Sequence, residues 1–277
     1  MEQLLVPIIC KVGKIIQETP DIRTYRLKFR DEGLSETFSW MPGQFVEFSL
    51  LGHGECTFCI ASSSTWKGYF DCSVKKAGVV TADMHNNLDE GDDVGIRGPY
   101  GNWFPLDDLK GRNLLFVGGG IGLAPLRSLI QYCIDTRDNY KDFTILYGAR
   151  TSADLCYKDE LKEWRSNPTL KVILTIYKEE EIWKEHVGVV PKVLEEVVRP
   201  AVDNTKVITC GPPIMIKYTL LSLDRLGFDP KNVITTLEMK MQCGFGKCGR
   251  CNIGSTYVCK DGPVFTYEQL KALPDEF

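Results

Sequence analysis

The stretch 113-NLLFVGGGIGLAPLRSLI-130 decides the fold. Leu114 to Val117 form a continuous apolar run, the pattern of a strand buried on both faces. Gly118, Gly119, Gly120 and Gly122 follow at once, and Pro125 stands in a first helical turn, where a missing amide hydrogen is harmless. The residues from Ala124 onward then take helical spacing. Strand, glycine turn and helix make one unit of a parallel α/β sheet. Amides at such a turn face phosphate groups well. Leu123 stands where a G-x-G-x-x-G fingerprint needs its third glycine, and a tight strand–helix junction also uses glycine. On its own the turn therefore leaves a nucleotide role and a packing role both open.

Toward the C-terminus the rhythm continues. "FTILYGA" (143–149), "KVILTIY" (171–177), "KVITCGPP" (206–213) and "NVITTLEM" (232–239) read as strands. "ADLCYKDELKEWR" (153–165), "VPKVLEEVV" (190–198) and "PIMIKYTLLSLDRLG" (213–227) read as helices. Strand C-termini of an open parallel sheet bind ligands, so Cys210, Gly211 and Pro212 are expected to border the same crevice as the glycine turn. Toward the N-terminus, from Val6 to about Leu106, short alternating strands prevail. "TYRLKFR", "GQFVEFSL", "YFDCSVKK" and "DDVGIRG" are separated by Pro42-Gly43, Gly52 to Gly54 and Gly91, which predicts a small antiparallel barrel. Within it, Gly78 to Thr81 form a turn into a short helix, a second candidate phosphate cradle.

The chain has 277 residues, enough for two domains and a small module. Its net charge of −4, without basic blocks, gives nucleic-acid binding no electrostatic support. No apolar run reaches membrane-span length and the first residues lack a signal-peptide layout, so a cytoplasmic protein is expected. Seven of the eleven cysteines are scattered. The other four follow Cys243-x4-Cys248-x2-Cys251-x7-Cys259, whose first three positions match the plant-type [2Fe–2S] spacing. Gly244, Gly246 and Gly249 allow the backbone to wrap and bring amides to the sulfurs. Structural zinc also takes four cysteines, but its usual pattern pairs two C-x2-C units.

With "PGQFVEFSL", "GPYGNWFP", "GGGIGLAP", "YGAR" and "CGPP" in this order, residues 6–232 resemble the ferredoxin–NADP reductase superfamily. The tail "LEMKMQCGFGKCGRC…VCKDGPVF" narrows the resemblance to FAD- and [2Fe–2S]-containing electron-transfer subunits. These are the gamma subunits of NAD(P)-linked hydrogenases and sulfhydrogenases, and the electron-transfer subunits of anaerobic sulfite reductase and dihydroorotate dehydrogenase. The resemblance implies an antiparallel flavin-binding β barrel (1–108), an α/β parallel-sheet NAD(P)-binding domain (109–232) and a small iron–sulfur module (233–277). It implies FAD along Cys56, Thr57, Phe58 and Cys59, with its pyrophosphate at Gly78, Val79, Val80 and Thr81. The nucleotide pyrophosphate would lie over Gly119, Gly120, Gly122 and Ala124, and the nicotinamide near Cys210, Gly211 and Pro212. Cys243, Cys248, Cys251 and Cys259 would hold the cluster. Cys210 is the candidate catalytic residue, with Glu238 a second candidate that also reads as a solvated carboxylate.

The chain departs from the superfamily where Cys56 and Cys59 replace an arginine and a serine at the flavin strand, and it continues into the cysteine tail where plant-type reductases end in an aromatic that shields the flavin. NAD or NADP delivers electrons in pairs, an iron–sulfur cluster takes them singly, and a flavin converts between the two. The chain offers no evident site for a terminal substrate, so the expected role is electron transfer to or from a catalytic or iron–sulfur partner subunit, of hydrogenase or sulfur-reductase type. A stand-alone NAD(P)H:ferredoxin-type reductase, a dihydroorotate dehydrogenase subunit and a zinc-stabilised nucleotide-binding module are the alternatives.

Overall fold

The computed structural model describes residues 5–274. Six antiparallel strands open the chain: β1 (Ile8–Thr19), β2 (Ile22–Phe29), β3 (Phe45–Leu50), β4 (Gly54–Cys59), β5 (Phe70–Lys75) and β6 (Asp93–Tyr100). They pair in the order β4-β3-β6-β1-β2-β5. Because side chains alternate across a strand, Val46, Phe48 and Leu50 of β3 enter the core with Tyr25, Leu27, Phe70 and Ile96. Phe45, Glu47 and Ser49 face the other way. β1, at twelve residues, is longer than the short strands expected. The sheet curls until its two ends approach, where Ile60 bridges Cys72. That single bridge leaves a barrel-like sheet rather than a fully laddered barrel.

The second sheet holds β7 (Asn113–Gly119), β8 (Phe143–Ala149), β9 (Lys171–Ile176), β10 (His186–Val187), β11 (Thr205–Cys210) and β12 (Val233–Thr236). All are parallel. The helices Leu123–Asp135 and Lys158–Ser166 cover one face through Leu126, Leu129, Leu161 and Trp164. The short helix Val190–Val193 and the helix Pro213–Arg225 cover the other through Val190, Val193, Leu220 and Leu223. Both faces are thus dry, which is why these strands read as continuous apolar runs. The chain builds outward from β7 through β8 to β9, then returns to β11 on the opposite side of β7. The order reverses between β7 and β11, and a crevice opens at such a switch point.

After β12 come a hairpin of β13 (Asn252–Ile253) and β14 (Thr256–Tyr257), and then β15 (Val264–Thr266). β15 pairs antiparallel with β12, so the chain leaves the second sheet from β12 and returns to lie beside it. The cysteine segment lies between these two strands. It packs an apolar cluster jointly with the first sheet: Phe45 and Tyr100 meet Leu237, Ile253, Val258 and Phe265. The tail has too few apolar residues for a core of its own and borrows one.

Candidate functional site

The switch point brings together two turns distant in sequence. Cys210 is the register partner of Gly118, so the turn Gly118–Gly122 and the turn Cys210–Pro212 leave the sheet side by side. They abut so closely that a Cβ on Gly122 would lie 2.5 Å from Gly211 Cα, and one on Gly119 2.3 Å from Met215 Sδ. Gly120 differs: its φ of +55° is left-handed and its missing side chain would meet open space. Gly122 is therefore glycine because backbone packs against it, Gly119 faces the movable end of Met215, and Gly120 is glycine for conformation. Ala124 is buried in the helix that follows. Thr236 on β12 donates its hydroxyl to Cys210 Sγ at 3.0 Å. Burial raises the Cys210 thiol to about 11, with Thr236 opposing, so it is a neutral thiol near pH 7.

Cys59 ends β4 within electrostatic range of both Cys210 and Glu238, and burial holds its thiol protonated as well. Three candidates from distant segments thus gather at one place: Cys59, Cys210 and Glu238. Glu238 is solvent-exposed. β4 stands half-buried along its length, whereas β3 and β5 are almost wholly buried. Beside β4 starts the helix Val79–Asn87, near enough that a Cβ on Gly54 would lie 2.9 Å from Val80. The hydroxyl of Thr81 accepts from the amides of Ala77 and Gly78 at 2.9 and 2.8 Å. The helical ladder begins only at Ala82, which donates to Gly78 O. The amides of Val79, Val80 and Thr81 therefore lie in the first turn, which suits an anion. His85 is buried and bonded to Val74 O, and His53 pairs with Asp83.

In the cysteine segment, Gly244, Gly246 and Gly249 take φ of +84°, +80° and +74°. That conformation turns amides onto sulfur: Lys247 and Cys248 donate to Cys243 Sγ at 3.2 and 3.4 Å, Gly246 to Cys259 Sγ at 3.0 Å, and Cys259 to Cys251 Sγ at 3.4 Å. Burial opposes ionisation of Cys243, but the amides of Cys248, Lys247 and Phe245 outweigh it and bring the thiol down to about 6. Cys243 interacts with Cys248 and Cys259 most strongly with Cys251, and Cys243 acts on Cys259 as well. Among the described residues no three ligand side chains converge on a single point. Two irons need two such pairs, each with amide hydrogen bonds to its sulfurs. The donor set fits a [2Fe–2S] cluster better than one tetrahedral zinc, which needs four thiols around one centre. Cys243, Cys251 and Cys259 are buried, and Cys248 is exposed.

Sequence reasoning missed the residues that join the cluster loop to the first sheet. Arg97 on β6 is 6% exposed and donates to Cys243 O at 3.0 Å and Gln242 O at 3.2 Å. Asn102, in the run "GPYGNWFP", donates to Asp261 O and Val264 O and accepts from Val264 N. Glu47 is buried, accepts from Thr57 Oγ1 at 2.8 Å, and has a second oxygen without a partner among the described residues. Burial lifts its carboxyl to about 7, despite the Thr57 hydrogen bond. Arg127 on the helix Leu123–Asp135 plays the joining part between the two sheets. It donates to Ala61 O at 3.0 Å and pairs with Asp71 and Glu160. None of these pairings follows a local spacing, so no sequence signal announces them.

A barrel-like antiparallel sheet, a doubly covered parallel sheet with a crevice at its switch point and a four-cysteine loop define a flavin- and nucleotide-binding reductase with an iron–sulfur module. Family models agree segment by segment. Residues 9–104 match an oxidoreductase FAD-binding domain, 116–220 an oxidoreductase NAD-binding domain, and 238–271 the iron-sulfur cluster binding domain of dihydroorotate dehydrogenase B. The chain is 39% identical over 272 residues to sulfhydrogenase 1 subunit gamma of Pyrococcus furiosus, covering 95% of this chain and 92% of that one. It is 31% identical over 268 residues to a probable dihydroorotate dehydrogenase B (NAD(+)) electron transfer subunit of Methanocaldococcus jannaschii, covering 96% and 91%. Among solved structures, an NADH-dependent reduced ferredoxin–NADP oxidoreductase studied for flavin-based electron bifurcation aligns with a TM-score of 0.76 and 25% identity, over 96% of this chain and 89% of that one. The chain belongs to the family of FAD-, NAD- and iron–sulfur-binding oxidoreductase subunits that includes the sulfhydrogenase gamma and dihydroorotate dehydrogenase B electron-transfer subunits. Among the described residues no helix is long and apolar enough to cross a membrane.

Proposed function

We propose that this chain passes electrons between NAD(P)H and a partner catalytic or iron–sulfur subunit, of hydrogenase or sulfur-reductase type. The observation that carries the reading is the placement of the cysteine loop. Its first cysteine is bonded to the sheet that contains β4, and its one exposed cysteine, Cys248, faces solvent. An electron entering at the crevice would leave at the Cys248 edge. The likeness to the sulfhydrogenase gamma subunits, at 39% and 38% identity, favours that partner type over the dihydroorotate one, at 31%.

When bound, the flavin would accept a hydride from a nicotinamide nucleotide and release electrons singly to an iron–sulfur centre. Cys56 to Cys59 would hold its ring, and the first-turn amides of Val79 to Thr81 its pyrophosphate. Gly120, beside the packed Gly119 and Gly122, would admit the nucleotide's pyrophosphate against Ala124, at the N-terminus of the helix Leu123–Asp135. Cys210, with Gly211 and Pro212, would border the nicotinamide. As a neutral thiol held by Thr236, Cys210 positions and excludes water rather than taking a proton. Glu238, exposed at the crevice mouth, is a candidate second contact. Cys243, Cys248, Cys251 and Cys259 would bind the cluster. We keep the first domain break after 108, between the sheets, and move the second from the expected 232 to after Thr236, because β12 pairs with β11 in the second sheet. The thiolate-rich loop suits a reducing compartment, the cytoplasm.

Affinity purification of the chain from its native cells tests the reading. The expected result is co-purification of larger subunits, and an isolated chain that reduces dyes with NADH or NADPH but turns over no terminal substrate. Turnover of hydrogen, sulfur or dihydroorotate by the isolated chain would overturn it.

A further inference from the structure

Arg97 reaches three separate pieces of the molecule at once. Its own strand, β6, lies beside β3 in the first sheet. Its Nε donates to Glu55 Oε2 at 3.0 Å and its Nη2 to the other oxygen of that carboxylate. Glu55 belongs to β4, next to Cys56, and is itself fixed by Ser49 Oγ at 2.7 Å. The same guanidinium donates to Tyr100 Oη at 3.3 Å and to the backbone oxygens of Gln242 and Cys243. The strand register puts Thr57, Glu47 and Arg97 in one row across β4, β3 and β6. A line of side chains therefore runs from β4 to the backbone of the first cluster cysteine.

Resting on the electron-transfer reading above, we propose that Arg97 is the positioning residue for the step between flavin and cluster, holding the loop of Cys243 at a fixed separation from β4. The chemistry suits an arginine and no other side chain. A planar guanidinium offers five donors in a rigid fork and stays charged, so it can hold a carboxylate and two carbonyls together. Lysine presents a single ammonium on a flexible stem. When both groups are bound, the flavin would give the cluster one electron at a time, the cluster would pass each on to the partner subunit before the next, and each hydride received would supply two such transfers and release a proton to solvent. Transfer of this kind slows steeply with distance. Hydride transfer in the crevice, where Cys59, Cys210 and Glu238 gather, does not run through the Cys243 loop.

The test uses purified holoprotein, with R97M, R97K and E55Q beside the natural chain. Stopped-flow absorbance with NADH or NADPH separates flavin reduction from cluster reduction. Hydrogen exchange follows amides 242–248, and redox titration gives the cluster potential. Misplacement by about 1 Å can cost on the order of 100-fold where reacting atoms must align to form a bond, and transfer of an electron between fixed centres is less sensitive than that. For R97M we expect cluster reduction slowed by at least about ten-fold, flavin reduction within about two-fold, and faster exchange at 242–248. R97K should fail to restore the second step, and E55Q should give a smaller loss in the same direction. Equal losses in both steps, or a loss that tracks melting temperature alone, would reduce Arg97 to a structural staple and overturn the proposal. So would unchanged kinetics in R97M. A natural chain without flavin or cluster would instead defeat the parent reading, a result distinct from any of these.

Discussion

Two glycine-rich turns serve this protein, and they use glycine for opposite reasons. At the crevice, Gly122 leaves no room for a side chain, because the turns from β7 and β11 press backbone against backbone there, while Gly119 and Gly211 face the side chain of Met215. In the cysteine loop, Gly249 has open space around it and is glycine because its φ is +74°. One turn is set by what lies across from it, the other by what its own backbone must do. The first depends on a sheet built from residues almost a hundred apart, while the second is written within eleven residues.

That contrast can be broken by substitution. The largest effect is expected for C259S, which removes one thiol of a buried pair. Iron and sulfide should be lost while bound flavin remains, as iron, sulfide and flavin assays would register. Next comes G122V at the crevice, where a new side chain meets backbone that has nowhere to move. We expect a loss of about 3 kcal/mol in denaturant unfolding, the upper end for overpacking. Gly120→Ala, two residues earlier in open space, should cost only about 1 kcal/mol, the penalty of a left-handed residue. Equal losses at 120 and 122 would erase the distinction between packing and conformation.

The cluster loop yields a parallel pair. Gly244 combines a φ of +84° with a Tyr100 ring 2.4 Å from its would-be Cβ, so G244A should cost about 2 kcal/mol and lower cluster occupancy. G249A meets only the conformational term and should cost about 1 kcal/mol. A smaller effect concerns pH. Glu47 has a folded pKa raised to about 7, so its neutral form contributes stability that is complete below its unfolded value of 4.5 and is lost as pH rises through about 7. The melting temperature of the natural chain should therefore fall relative to E47Q between pH 5 and pH 8. A constant difference across that range would show that Glu47 ionises normally.

The parts legible from sequence were those whose chemistry is local. Four cysteines and three glycines fix a wrapped loop whatever surrounds it, so the cluster candidates were readable from spacing. The alternation of buried strands with helices likewise gave the parallel sheet. The flavin strand depends on topology, and only the resemblance to known reductases brought it forward; Cys210 was readable from its strand end, but its meeting with Cys59 and Glu238 was not. Arg97, Glu47, Asn102 and Arg127 were invisible. Each acts by reaching another segment more than 50 residues away or across strands, and a buried ion pair leaves no periodic trace. Glu47 looked like the polar member of an alternating strand, although it is buried. The barrel's incomplete closure was equally hidden, since pattern reports strands and not how their edges meet.

With these three regions in one chain, the whole route from nucleotide through flavin to an iron–sulfur cluster should be present in the purified protein. Anaerobic purification followed by the visible spectrum, with iron, sulfide and flavin quantified, tests it most directly. The expected result is one flavin and a two-iron, two-sulfide cluster per chain, both bleached by NADH or NADPH, with the faster of the two identifying the coenzyme. A colourless protein that carries zinc on Cys243, Cys248, Cys251 and Cys259 would contradict it.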